Sequence, residues 1–181
     1  MVRSVGLTDR PKLVKPKAIL FDFDGVLTDN TVFVGEDGRE MVRCNRSDGL
    51  AFEALQRLNL RVFIVSRETN AVVGARAAKL RVPVLQAISN KLDAVSSLAA
   101  RHGLPLSDIL FVGNDLNDLD VMRATGLSAC PADSHPRIID IATFVLEARG
   151  GEGVAREIAE RILNIDIAQI LRSPAGGQPE K

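Results

Sequence analysis

Tryptophan and tyrosine are absent, and phenylalanine occurs only seven times in 181 residues. A chain so poor in large aromatics offers no platform on which nucleic-acid bases could stack. Charge of one sign is also missing: 23 lysines and arginines balance 23 aspartates and glutamates. No global field steers the chain toward nucleic acid or a membrane surface, so an anionic ligand must be drawn by a local cation cluster. Cysteine is scarce. Cys44 and Cys130 are too far apart in sequence to form a metal-spaced pair or a disulfide framework, which is consistent with two reduced thiols in a cytoplasmic protein. No apolar run approaches transmembrane length, and the basic segment 1–16, with Pro11 and Pro16, lacks the apolar core of a signal peptide. That segment reads as a loose arm.

The hydrophobic content is 46%, enough to fill the core of one domain over 17–165. Ala18 to Phe21, Val62 to Val65, Val82 to Leu85 and Ile109 to Val112 are short apolar runs of the buried-strand kind, with weaker ones near Leu127 and Phe144. Between them lie helical patterns. Ser47 is placed to cap a helix through about Leu58, with Leu50, Ala54, Leu55 and Leu58 on one face. Thr69 to Leu80, Asn90 to Arg101, Asn117 to Ala124 and Val154 to Ile165 complete the set, and Gly103 closes the second of these. Thr31 to Val34 and Arg39 to Cys44 flank the turn Gly35-Glu36-Asp37-Gly38, which predicts a β-hairpin. The end of the chain, 166–181, is rich in glycine and proline and reads as a tail, disordered from Ser173 on.

Strands that alternate with helices predict an α/β fold, a doubly wound parallel sheet covered on both faces. Ligands of such sheets sit beyond the carboxyl ends of the strands. The polar residues that follow each apolar run are therefore the informative ones. The first run delivers Asp22-Phe23-Asp24-Gly25-Val26-Leu27-Thr28-Asp29. Two carboxylates this close, just past a buried strand, disfavour each other's ionisation unless a cation holds both charged. Hard oxygen donors of this kind suit Mg²⁺, and Gly25 allows close approach of the backbone. The rival reading is a solvated Asp-rich turn. Ser66 follows the second run, where a serine is commonly a simple cap. Lys91 falls in the first turn of a helix, where a cation opposes the dipole and so points to an anion nearby.

The string Phe21-Asp22-Phe23-Asp24-Gly25-Val26-Leu27-Thr28-Asp29 resembles the first motif of the haloacid dehalogenase superfamily. The resemblance implies a Rossmann-like phosphatase fold with an aspartyl-phosphate intermediate and Mg²⁺ as cofactor. It makes Asp22 the nucleophile and metal ligand, and Asp24 the general acid and base whose carbonyl also holds the metal. Ser66 would bind the phosphoryl group, and Lys91 would offset its charge. Gly113-Asn114-Asp115-Leu116-Asn117-Asp118 resembles the metal motif, with one departure: Asn114 stands where an aspartate is usual, and Asp115 beside it is a compensating candidate ligand.

The segments between these motifs leave no room for a cap domain, only for the hairpin. The hairpin, Arg46-Ser47-Asp48-Gly49, the turn around Asp133 and His135, and Gly150-Gly151-Glu152-Gly153-Val154-Ala155-Arg156-Glu157 resemble a capless, tetrameric branch. Its members dephosphorylate 2-keto-3-deoxy sugar acids such as octulosonate 8-phosphate and nonulosonate 9-phosphate. Resemblance there implies a homotetramer whose hairpin and glycine-rich segment help complete a neighbour's site. Asp48, Glu68, Arg76 and Arg156 become candidate substrate-binding residues. Glu68 and Arg76 resemble the nine-carbon members more than the eight-carbon ones. The alternative is a non-catalytic tetrameric scaffold of the kind attached to some acylneuraminate cytidylyltransferases. Neither reading calls for nucleic acid or membrane.

Overall fold

The structure, a computed structural model, describes residues 15–172. The predicted arm lies outside these residues except for Lys15 and Pro16, and Pro16 is buried. Six parallel strands form the sheet, in the order β5-β4-β1-β6-β7-β8. They are β1 (Ala18–Phe21), β4 (Arg61–Val65), β5 (Val84–Leu85), β6 (Ile109–Val112), β7 (Leu127–Cys130) and β8 (Phe144–Val145). A separate two-stranded hairpin, β2 (Phe33–Val34) and β3 (Glu40–Met41), stands off the sheet. The doubly wound α/β expectation holds, with the hairpin as the insertion and no cap.

β1 is fully buried because all four of its residues are apolar and sheet covers both its edges. Each large side chain buried there contributes roughly 1.5–3 kcal/mol. The helices α1 (Ser47–Arg57), α2 (Ala71–Leu80), α6 (Val154–Glu157, continued by a π-helical turn Ile158–Ile162) and α7 (Ile167–Arg172) enclose one core. The helices α3 (Lys91–Arg101), α4 (Leu119–Ala124) and α5 (Pro136–Ile139) enclose the other. Strand order reverses beside β1, with β4 and β5 on one side and β6 to β8 on the other. That reversal is the crevice in which an α/β sheet places ligands.

Two local expectations are corrected. Ser47 does not cap α1: Arg46 holds that position without a side-chain bond, and the Ser47 hydroxyl turns back to Asn45 Oδ1 at 2.8 Å. The buried face of α1 is Ala51, Phe52, Ala54 and Leu55, with Leu50 and Leu58 exposed. It is fixed by Phe52, whose ring meets Phe21 of β1 at 5.2 Å. Before Ser173 the tail forms a short helix, Ile167–Arg172, with Ile167 buried in the α1 core. The residues from Ser173 on lie outside the described part.

The glycine-rich segment passes behind the first strand loop, where Gly151 N–H donates to the Val26 carbonyl at 3.0 Å. Both cysteines are free thiols. No helix among the described residues is long and apolar enough to cross a membrane.

Candidate active site

β1, β4 and β6 run in register: Phe21 pairs with Ile64 on one side and Val112 on the other. Their carboxyl ends therefore lie at one height and present Asp22, Ser66 and the Gly113–Asp118 loop side by side. A cavity of about 130 Å³ opens there, lined by Asp22, Asp24, Ser66, Glu68, Asn114 and Asp115 among others. It adjoins a second of about 230 Å³ under the hairpin, and the two share Asp24, Asn30 and Glu68.

Asp22 is 5% exposed. Its Oδ1 accepts from the Phe23 N–H at 2.7 Å, and its Oδ2 lies 2.7 Å from Lys91 Nζ. Lys91, itself 3% exposed, is also 2.5 Å from Asp118 Oδ1. One buried cation thus sits between two buried carboxylates, a net negative charge in a dry setting. Burial pushes the Asp22 carboxyl up to about 8, helped by repulsion from Asp118 and opposed by Lys91. Asp24, half-buried, is raised by burial and by the Glu68 carboxylate, against the pull of Lys91.

Asp118 is the residue that sequence reasoning left without a role. Besides Lys91 it holds the β6 loop, because its Oδ2 accepts the N–H of Asn114 at 2.9 Å and of Asp115 at 3.3 Å. The signal was present, as the final acid of the motif after β6, four residues beyond Asn114. Two glycines make the arrangement possible. A Cβ on Gly113 would come within 2.6 Å of the Asp118 carboxyl carbon. Gly25 has φ +76°, and a Cβ there would stand 1.9 Å from Asn114 Nδ2.

The fit of a divalent cation rests on Asn114. Its Oδ1 is buried and accepts no hydrogen bond, an arrangement that costs free energy unless something electropositive occupies it. Asp22 supplies a carboxylate on the same cavity, and the charge a cation brings would favour the ionised form that burial opposes. No cluster of three or more acidic, histidine or cysteine side chains among the described residues is arranged to hold an ion. The side-chain donors that the cavity offers an ion are therefore the Asp22 carboxylate and the Asn114 amide oxygen. Asp115 lines the same cavity; it is exposed, and its Oδ1 accepts the Leu116 N–H at 2.7 Å.

The structure brings Asp22, Asp24, Ser66, Lys91 and Asn114 together, with Glu68 on the rim. Ser66 Oγ accepts the Glu68 N–H at 3.1 Å, so it turns the chain after β4 as well as lining the cavity. The other substrate candidates lie elsewhere within the chain. Arg76 donates to the Asn45 carbonyl at 2.7 Å and lines neither cavity. Asp48 is buried, with Oδ1 accepting the Arg156 N–H at 3.2 Å, and burial raises its carboxyl to about 6. The Arg156 guanidinium pairs with Glu160 at 3.0 Å. His135 caps α5 through the Arg137 N–H, and Asp133 accepts from Gly150, so both support turns.

A buried carboxylate after β1, a serine after β4 and a lysine at the start of α3 converge on one cavity edge, and similarity to known proteins names the class. Residues 65–158 match the haloacid dehalogenase-like hydrolases, and the chain belongs to that family. The 3-deoxy-D-manno-octulosonate 8-phosphate phosphatase of Salmonella typhi is 34% identical over 163 residues, 90% of this chain and 85% of that protein. A haloacid dehalogenase family hydrolase from Streptomyces avermitilis superposes with a TM-score of 0.83 at 39% identity, covering 87% of this chain and 90% of that one. The octulosonate 8-phosphate phosphatase of Moraxella catarrhalis, solved with magnesium, phosphate and the free sugar acid, gives 0.81 at 28% identity, covering 84% and 89%.

Proposed function

We propose that the chain is a Mg²⁺-dependent phosphomonoesterase for 2-keto-3-deoxy sugar acid phosphates. One observation carries the reading. A buried Asp22, ion-paired to Lys91, faces a cavity shared with Ser66 and the unpartnered amide oxygen of Asn114. An idle scaffold would have no use for so costly a charge cluster.

Asp22 attacks phosphorus in line. The bond from its carboxylate oxygen to phosphorus forms as the ester P–O bond breaks, and Asp24 gives its proton to the departing sugar oxygen. Asp24 then takes a proton from water, which attacks phosphorus and releases inorganic phosphate and the Asp22 carboxylate. Lys91 and Ser66 stabilise charge on the phosphoryl oxygens. Mg²⁺, held by Asp22, Asn114 Oδ1 and the Asp24 carbonyl, would supply the positive charge that keeps Asp22 ionised and offsets the phosphate.

The named relatives make octulosonate 8-phosphate the first substrate to test. The nine-carbon alternative keeps support from Glu68, which lines both cavities, but Arg76 would have to leave Asn45 to contribute. Comparing kcat/KM for octulosonate 8-phosphate and a nonulosonate 9-phosphate decides between them. Failure of both, with turnover of simple esters intact, would refute the substrate class.

A homotetramer is part of the proposal. Phe33, Val34 and Met41 of the hairpin are 64%, 65% and 64% exposed. An isolated two-stranded ribbon with such a surface needs partners for stability. Arg156, distant from this chain's own cavity, is assigned to a neighbour's.

A further inference from the structure

We infer that Glu40 is a specificity-determining residue, and that a sugar acid phosphate binds with its polyol segment in the hairpin cavity and its carboxylate outside it. The inference rests on the phosphatase reading above and adds the orientation of the leaving group.

The cavity next to the phosphate end is lined by Asp24, Asn30, Thr31, Val32, Glu40, Val42, Glu68, Asn70, Val72 and Val73. Its polar groups are three carboxylates, two amides and one hydroxyl. No lysine, arginine or histidine of this chain lines it, so the Arg156 assigned above to a neighbour's site would meet the sugar acid outside it. Ionised carboxylates only accept hydrogen bonds, so a ligand seated against Glu40 and Glu68 must bring donors. The hydroxyls beside the phosphate of a sugar acid do so. Its own carboxylate does not, and beside the ionised Glu40 and Glu68 it would be repelled.

Glu40 is the member held for this purpose. It is carried on β3 and is half-buried, and its Oε2 accepts from Asn70 Nδ2 at 2.8 Å. Asn70 is itself fixed from two sides: its Oδ1 accepts the Val72 N–H at 3.0 Å at the start of α2, and its carbonyl accepts from Gln86 at 2.6 Å. The Glu40 carboxylate is thus tied to the α2 terminus through one oxygen, which leaves Oε1 for a ligand hydroxyl. The valines supply an apolar wall for the carbon chain.

The test uses the full chain with Mg²⁺ and three probes. These are octulosonate 8-phosphate, sorbitol 6-phosphate, which has the hydroxyls but no carboxylate, and p-nitrophenyl phosphate, which has neither. Each is measured as kcat/KM, or as a competitive Ki for a poor substrate. Glu40→Gln should lower kcat/KM, or raise Ki, for both sugar phosphates about ten- to a hundredfold relative to p-nitrophenyl phosphate, as expected for a lost charge-assisted hydrogen bond. Equal loss on all three probes would make Glu40 structural. Loss confined to the sugar acid would place the carboxylate in the cavity. Either result, or no change in the ratios, overturns the inference. A wild-type chain inert toward p-nitrophenyl phosphate would instead overturn the phosphatase reading, and the orientation with it.

Discussion

Replacing Asp22 by asparagine should abolish turnover and at the same time stabilise the metal-free fold at alkaline pH. An amide cannot form the acyl-phosphate, so activity should fall by several orders of magnitude. The stability effect follows from the burial of the carboxylate. Its pKa rises from 3.8 in the unfolded chain to about 8 in the fold. A group raised in this way favours folding fully only below about pH 4, and that contribution is lost as pH climbs through about 8. At pH 8 the ionised carboxylate costs the fold up to about 5 kcal/mol. Asparagine removes that cost, which already includes the pull of Lys91, so the variant should be the more stable by several kcal/mol at pH 8. At pH 5 the gain should fall to roughly a third of that. Urea unfolding with a chelator at the two pH values reads this directly. Added Mg²⁺ should reverse the order, because only the wild-type carboxylate gains from it. Asp22→Asn no more stable than wild type at pH 8, or a difference independent of pH, would refute the electrostatic account of the site.

Asn114→Asp should tighten Mg²⁺ binding about tenfold, because it returns a formal charge beside Asp22; an unchanged calorimetric titration would remove Asn114 from the metal shell. Arg156→Ala should leave the chain folded and impair turnover of the sugar acid far more than that of p-nitrophenyl phosphate. Subunits of Arg156→Ala mixed with those of Asp22→Asn should regain activity, because some mixed tetramers contain one intact composite site. No recovery after verified subunit exchange would return Arg156 to its own chain.

Much of this was readable because the sheet's signals are short and unambiguous. Ala18 to Phe21 and Ile109 to Val112 are uninterrupted apolar runs, and the first polar residue after each marks the catalytic edge. What escaped the sequence depends on long side chains choosing among partners in space. Nothing in the spacing tells that Arg76 will spend its guanidinium on the Asn45 carbonyl. The face of α1 was misjudged because Leu50 and Leu58 look as apolar as Ala51 and Phe52. Only the contact between Phe52 and Phe21 decides between them. Ile167–Arg172 was missed because a helix that short has no independent stability and forms on the core it covers.

The bond from Gly151 to the Val26 carbonyl ties the first catalytic loop to one of the last parts of the domain to be synthesised. A ribosome delivers residues in order at roughly 5–20 per second. Asp22 is therefore exposed for several seconds before the segment that braces its loop exists. Lys91 and Asp118 also arrive long after it. A nascent chain holds the proposed nucleophile without its counter-ion, its neighbouring strands or its brace. Hydrolytic competence is thus a property of the finished chain, and truncation anywhere before the glycine-rich segment should leave an inert protein rather than an unregulated one.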